Sequence, residues 1–529
     1  MMRTFTVFTA LSLQLVWAAP QFIQGECDNF TIGQTVETSS GSVTGHASST
    51  YSEVSEYLGI PYAYPPVGDL RFAAPVKYTG SSALNGSTYG PSCPLLPSAN
   101  GTAPTAANIA ASNVTEVGLE LIEILTSEVL VHSEDCLYMN VWSKPQSGEE
   151  LKAVMVFIYG GAFDSGTSSS PQLDGAGLAD MGDVVVVSFN YRFSILGFPG
   201  DPNTQRNVAF LDQRLAMEWV RDNIANFGGD TSRITLFGQS AGSASTDYYS
   251  YAWASDPIVT GIILESGTVF SFDLPYASND SAAVWYNVST TVGCGNASTD
   301  PTELMACMQS VELDTLMAAV PQTGLYSLIS AFGPTVDNTL VFANYSEQTP
   351  ASIPVLDGSN DYEAGLFRTE LAMSGEFLPD IDWDLYNLAS FTCPAGTRAN
   401  ASVAAGNPTW RYRFFGVFPN TNVSAEGGAY HGAELPILFG TTFSPPNSTA
   451  EELIFQKYLI GAWTTFAKDP VNGLLTYEGG WPLYDPNEAT LVRLAYDDNF
   501  TSPNLALPMQ YDVECPDVSL AALIAALLG

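Results

Sequence analysis

The chain is short of positive charge. It has 17 Lys+Arg against 55 Asp+Glu in 529 residues, a formal net charge of −38 at pH 7. Such a surface repels phosphate backbones and anionic lipid, so nucleic acid is excluded as a partner. The acidity runs along the whole chain, which fits solubility in acidic surroundings better than steering of a cationic ligand. Histidine is scarcer still: His46, His132 and His431 are the only three. Chemistry that needs an imidazole base therefore has three choices. The cysteines Cys27, Cys93, Cys136, Cys294, Cys307, Cys393 and Cys515 contain no C-x-x-C pair, so no zinc site is expected. Their odd number leaves at least one thiol unpaired within a monomer.

What is present first is an export signal. Arg3 precedes an apolar run, Phe5–Trp17, and Val16-Trp17-Ala18 reads as a small-residue cleavage site. Residues 1–18 are read as a signal peptide, too short to span a bilayer, and 19–529 as one domain. Export permits disulfides and gives meaning to Asn-x-Ser/Thr sequons, such as those at Asn29, Asn100, Asn113 and Asn422. An apolar tail over 518–529 reads as a final packed helix, or as a glycolipid-attachment signal with a poor polar spacer.

Hydrophobic residues make up 46% of the chain, enough for a large core. Ala153–Tyr159, Asp183–Asn190, Ile234–Phe237 and Gly261–Leu264 are apolar without alternation, as expected of parallel strands buried on both faces. Helical spacing recurs over Asp212–Ala225 and over Val117–Val131. Val43–Leu58, Ser133–Val141, Ile353–Leu356 and Trp410–Phe415 read as further strands. Strands alternating with helices predict an α/β fold, a central mostly parallel sheet with helices on both faces.

One stretch organises the rest. Ile234–Phe237 leads into Gly238-Gln239-Ser240-Ala241-Gly242, a G-x-S-x-G pattern. A strand that turns sharply into a helix needs small residues two before and two after the serine, and it presents the Ser240 hydroxyl with helix N–H groups nearby. A serine needs a base. In this arrangement the base comes last in the chain, and only His431, in Tyr430-His431-Gly432-Ala433-Glu434, follows Ser240. An acid is expected between them, and Asp357, Asp361 and Glu363 are all candidates. Tyr159-Gly160-Gly161-Ala162 follows a buried strand and suits an oxyanion hole.

Longer tracts carry a family resemblance: Asn207–Val220, Asn223–Asp230, Ile234–Ser243, Gly59–Phe72, Glu134–Val141 and His431–Pro436. The chain resembles the type-B carboxylesterase/lipase family, the cholinesterase-like branch of the α/β hydrolases, and in particular its secreted fungal members. The resemblance implies hydrolysis of a small-molecule or lipid ester, with no cofactor. It implies Ser240 as nucleophile, His431 as base and Glu363 as acid, since Gly358–Glu363 matches the family's G-x-N-x-x-E segment. Gly161, Ala162 and Ala241 match oxyanion positions, with Ala162 standing where glycine is usual. Gln239, Ser266 and Glu434 match supporting positions, and Arg71 with Glu134 a structural ion pair. Cys93–Cys136 and Cys294–Cys307 match family disulfides, which leaves Cys27, Cys393 and Cys515 unassigned.

Two departures argue against choline esters. Residues 94–135 hold no Phe, Tyr or Trp to face a quaternary ammonium, and Gln239 stands where an anion is usual. Two rival readings remain. One is a triacylglycerol lipase with a lid in the 93–136 loop. The other is a non-catalytic adhesion member of the superfamily.

Overall fold

A computed structural model of the chain describes residues 30–96, 104–126, 131–145, 150–321, 330–441 and 446–518. The export segment, Cys27, Asn29, Asn100 and the tail from 519 lie outside the described residues.

Three short strands, β1 (Thr35–Thr38), β2 (Gly41–Thr44) and β5 (Leu84–Asn85), form a small N-terminal sheet. The large sheet uses β3 (His46–Ala47), β4 (Ser55–Pro61), β6 (Tyr138–Ser143), β7 (Lys152–Ile158), β8 (Val185–Phe189), β9 (Gly229–Gln239), β10 (Gly261–Glu265), β11 (Val355–Asn360), β12 (Thr409–Phe414), β13 (Leu491–Leu494) and β14 (Asn504–Ala506). Its order is β14-β13-β12-β11-β10-β9-β7-β8-β6-β4-β3. From β8 through β13 every neighbouring pair is parallel, and the pairs at both edges are antiparallel.

The apolar runs explain the centre of this sheet. All five residues of β8 and all five of β10 are buried, so both faces are covered. The helix Ala241–Ala252 packs on β9 and β10, and the helix Ala450–Lys468 on β7 and β9. The fold is α/β, as the strand–helix alternation predicts. The expected helix over Asp212–Ala225 spans Val208–Asn223 and ends in a 3₁₀ turn, Ile224–Phe227.

Some boundaries differ from expectation. The strand expected over Ser133–Val141 begins at Tyr138. Asp135 donates its N–H to Ser133 Oγ (3.1 Å) and accepts from the Tyr138 hydroxyl (3.0 Å), which holds the preceding residues in a turn. The strand expected over Ile353–Leu356 instead runs Val355–Asn360. Pairing with β10 on one side and β12 on the other carries Asp357-Gly358-Ser359-Asn360 into the sheet despite their poor strand propensity. The helix expected over Val117–Val131 spans Glu116–Thr126, with 127–130 outside the described residues.

Among the described residues three disulfides are present: Cys93–Cys136, Cys294–Cys307 and Cys393–Cys515. The last pairs two cysteines that the sequence left unassigned. It ties the start of the helix Cys393–Ala404 to the C-terminal turn Cys515–Asp517 across 122 residues. Arg71 and Glu134 form a two-pronged ion pair (2.6 and 2.5 Å) beside the first disulfide, with Arg71 buried.

Candidate active site

β9 ends at Gln239 and the next helix starts at Ala241, so Ser240 alone makes the turn. Its backbone sits at φ 58, ψ −125, outside the regions an L-residue prefers. The Ser240 N–H is tied to the Glu265 carbonyl (2.8 Å) and its carbonyl accepts from Ala244 N (2.9 Å). Gly242 is required because a β-carbon there would collide with the Ile158 carbonyl at the end of β7. A β-carbon on Gly160 would lie 2.8 Å from Ser240 Cβ. The strand ends of β7 and β9 are therefore pressed together around the serine.

Gly161 follows at φ 114, and its carbonyl accepts from Asp164 N, Ser165 N and Ser165 Oγ. Among the described residues nothing takes up the N–H of Gly161 or of Ala162. Two backbone donors thus remain beside Ser240, and Ala241 N, the first of its helix, is a third. Gly160, Gly161, Ala162, Gln239, Ser240 and His431 all line one pocket of about 300 Å³.

The three candidate acids have different surroundings. Asp361 pairs with Arg413 (2.8 Å). Asp357 is fully buried within β11 beside the Arg411 and Arg398 charges, and burial pushes its carboxyl well above the usual range. Glu363 Oε2 meets His431 Nδ1 at 2.7 Å. Glu363 Oε1 accepts from Ser266 Oγ (2.6 Å) and from Asn360 N (2.5 Å). The carboxylate is fully buried and held by three donors, and it fixes the imidazole with its proton on Nδ1. The Phe367 and Phe391 rings contact the imidazole at centroid distances of 5.2 and 4.9 Å.

His431 Nε2 then accepts from the Gln239 side-chain amide at 3.1 Å. No hydrogen bond joins it to Ser240 Oγ among the described residues. Gln239, expected to act in support, thus occupies the lone pair that a base needs. His46 lies away from this site, between the Glu56 carbonyl and carboxylate.

Behind Glu363 lie two more buried carboxyls. Glu434 accepts from the Asn360 side-chain amide; burial first, then the Glu363 charge, pushes it up to about 8. Burial and the neighbouring Glu434 raise Glu265 well above the ordinary range, and the Trp463 indole N–H donates to it (2.5 Å). Burial therefore favours the protonated form of both, beside the Glu363–His431 pair. Asn360 and Glu265 were not singled out in the sequence, although both sit inside motifs that were: Gly358–Glu363 and Glu265-Ser266-Gly267.

The rest of the pocket has two textures. Phe272, Phe367 and Phe391 give the pocket aromatic lining, and Leu366, next to Phe367 in the chain, is apolar. Glu370 joins them, and burial pushes its carboxyl up to about 7. His132, Thr167, Ser170 and Gln172 are polar residues of the lining. Leu121 and Ile124, from the helix Glu116–Thr126, also line the pocket. That helix is tied at its start to the segment before His431. Thr115 Oγ1 donates to the Asn422 carbonyl (2.6 Å), and Ala425 N to the Asn113 carbonyl (3.2 Å). No helix among the described residues is long and apolar enough to cross a membrane.

Comparison with known proteins identifies the family. The model of the carboxylesterase family matches residues 33–382 and 380–510. The chain is 35% identical over 478 residues to a chlorogenic acid esterase of Aspergillus niger, covering 88% of each chain. It is 32% identical over 524 residues to secreted lipase 5 of Gibberella zeae, covering 92% of this chain and 94% of the relative. It is 29% identical over 507 residues to a mouse cholinesterase, covering 83% and 79%. With matches of this extent around a pocket that holds Ser240 and His431, the chain belongs to the carboxylesterase family and is a carboxylic ester hydrolase.

Proposed function

We propose that this is a secreted serine hydrolase that cleaves carboxylic esters through an acyl-enzyme, with Ser240, Glu363 and His431 as its triad. The observation that carries the reading is the 2.7 Å contact between Glu363 Oε2 and His431 Nδ1 in the pocket that Ser240 lines. In the mechanism, ester binding draws His431 Nε2 from the Gln239 amide to the Ser240 hydroxyl. His431 takes that proton as Oγ attacks the carbonyl carbon. Glu363 stabilises the imidazolium. The N–H groups of Gly161, Ala162 and Ala241 hold the oxyanion; removing one such donor typically costs about 3–4 kcal/mol of barrier. His431 returns the proton to the leaving alcohol, then activates the water that clears the acyl group.

Secretion is supported by residues 1–18 and by the secreted lipase among the relatives. Choline esters stand outside the reading, because the 94–135 segment carries no Phe, Tyr or Trp. Labelling with a fluorophosphonate tests the triad. Label is expected on the intact chain and absent from Ser240→Ala. A folded protein that stays unlabelled, or label that survives the substitution, overturns the reading and favours the non-catalytic alternative.

A second reading, lipase action, is favoured by Leu121 and Ile124 in the pocket wall. Faster turnover of emulsified long-chain esters than of dissolved short ones supports it, and the reverse order leaves a plain carboxylesterase.

A further inference from the structure

Among the described residues that line the pocket there is one acidic side chain, Glu370, and no lysine or arginine. Glu370 lies on the helix Ala364–Ser374, which starts directly after Glu363. Positions 366, 367 and 370 share one face of that helix, and all three line the pocket. Phe367 marks where the helix meets the triad, since its ring lies against the His431 imidazole. Glu370 is three residues further on, about 4.5 Å along the helix axis and away from Glu363. Its carboxyl therefore belongs to the pocket lining nearly one turn beyond the ring that touches the base.

This carboxyl is open and unpaired. It forms no hydrogen bond and no ion pair among the described residues, yet neither oxygen is closed off from water. Tyr386, whose phenol senses the Glu370 charge, does not bond it. The carboxyls behind the triad differ, since Glu363 is held by three donors and Glu434 by the Asn360 amide. Water serves the Glu370 carboxyl until a ligand arrives, and an ester that fills the pocket displaces that water. An apolar chain then leaves the carboxyl without any partner, whereas a chain with a polar hydrogen at that depth replaces the lost bond. A hydroxyl suits the place better than an ammonium. Burial raises the acid with no donor or cation to offset it, so the uncharged form prevails below about pH 7. A hydroxyl bonds either form of the carboxyl, and an ammonium needs the charged one.

We infer that Glu370 determines specificity: its carboxyl bonds a hydroxyl that the ester carries away from the scissile bond, on a chain long enough to pass Phe367. The inference rests on the serine-esterase reading above. A site built to bond a hydroxyl discriminates strongly against the apolar isostere, because its own group is then left unpaired.

The test pairs each hydroxyl ester with an apolar one of equal heavy-atom count. On the acyl side, ethyl 6-hydroxyhexanoate is set against ethyl heptanoate, and ethyl 8-hydroxyoctanoate against ethyl nonanoate. On the alcohol side, 4-hydroxybutyl butyrate is set against pentyl butyrate, and 6-hydroxyhexyl butyrate against heptyl butyrate. Wild type is expected to favour the hydroxyl ester in kcat/KM by about tenfold in at least one pair. Glu370→Leu is expected to abolish that preference, with the apolar ester gaining. Glu370→Gln, whose amide oxygen still accepts from a hydroxyl, is expected to keep most of it, a rescue that a merely structural role would not show. No hydroxyl preference in any pair overturns the inference. So does a preference that survives Glu370→Leu, or one that Glu370→Gln loses as fully. A greater preference at pH 6 for the matching amino ester overturns the assignment to a hydroxyl. Fluorophosphonate labelling of the same preparations separates the two failures: label with no hydroxyl preference sinks only this inference, and no label sinks the esterase reading with it.

Discussion

Gly160–Ala162 and Gln239–Ala241 reach the pocket at the ends of two adjacent parallel strands, while Glu363 and His431 arrive on loops 68 residues apart. The strand-borne half is made of backbone. Its serine is strained, its glycines admit no β-carbon, and its donors are main-chain N–H groups. The loop-borne half is made of side chains. Ser266, Asn360 and His431 converge on Glu363, with Glu434 and Glu265, whose carboxyls burial raises, behind it. Oxyanion stabilisation needs rigidity, which a strand end supplies. Proton transfer needs a controlled charge, which only a buried hydrogen-bonded cluster supplies.

The comparison can be broken on its loop side first. Glu363→Gln keeps the shape but removes the charge and the Nδ1 acceptor of the correct tautomer. A fall in kcat of about 10⁴ is expected for such a change. Steady-state kinetics with a residual rate within tenfold of wild type would contradict it.

On the strand side, Gly160→Ala places a methyl against Ser240 and the Gln239 carbonyl, both 2.8 Å from the new carbon. A displaced nucleophile costs about a hundredfold in kcat. KM for a short ester should change far less, so a loss confined to KM would argue that Gly160 serves binding alone.

The smallest effect is on stability. Burial raises Glu434 to about 8, and Glu370 and Asp164 each to about 7. Unfolded, such groups titrate near about 4. The folded chain therefore keeps protons that the unfolded chain releases. Their stabilising contribution is full below about pH 4 and is lost as pH rises through 7 to 8. Calorimetry should find Tm several degrees lower at pH 8 than at pH 5, with the drop reduced in Glu434→Gln. An equal or higher Tm at pH 8 would contradict the assignment of neutral buried acids.

The two halves also differ in how far the sequence discloses them. The strand-borne half is legible because its demands are local: Gly238, Gly242 and the Tyr159–Ala162 tract sit beside the apolar runs that make the strands. The loop-borne half depends on sheet pairing and on distant partners. Local reading left Asp357, Asp361 and Glu363 open. Only the extension of β11 to Asn360 buries Asp357 in the sheet and brings Asn360 N to Glu363. The Gln239 contact with His431 and the Cys393–Cys515 pairing join residues far apart in the chain, and no periodicity signals them.

The Cys393–Cys515 bond has a consequence for resistance to proteolysis. It closes a covalent ring that contains β12, His431, the helix Ala450–Lys468 and β13. A protease that cuts one peptide bond anywhere in that ring leaves a molecule still in one piece. The fragment bearing His431 stays attached and seated on the sheet, and the two pieces part on a denaturing gel only after a reductant is added.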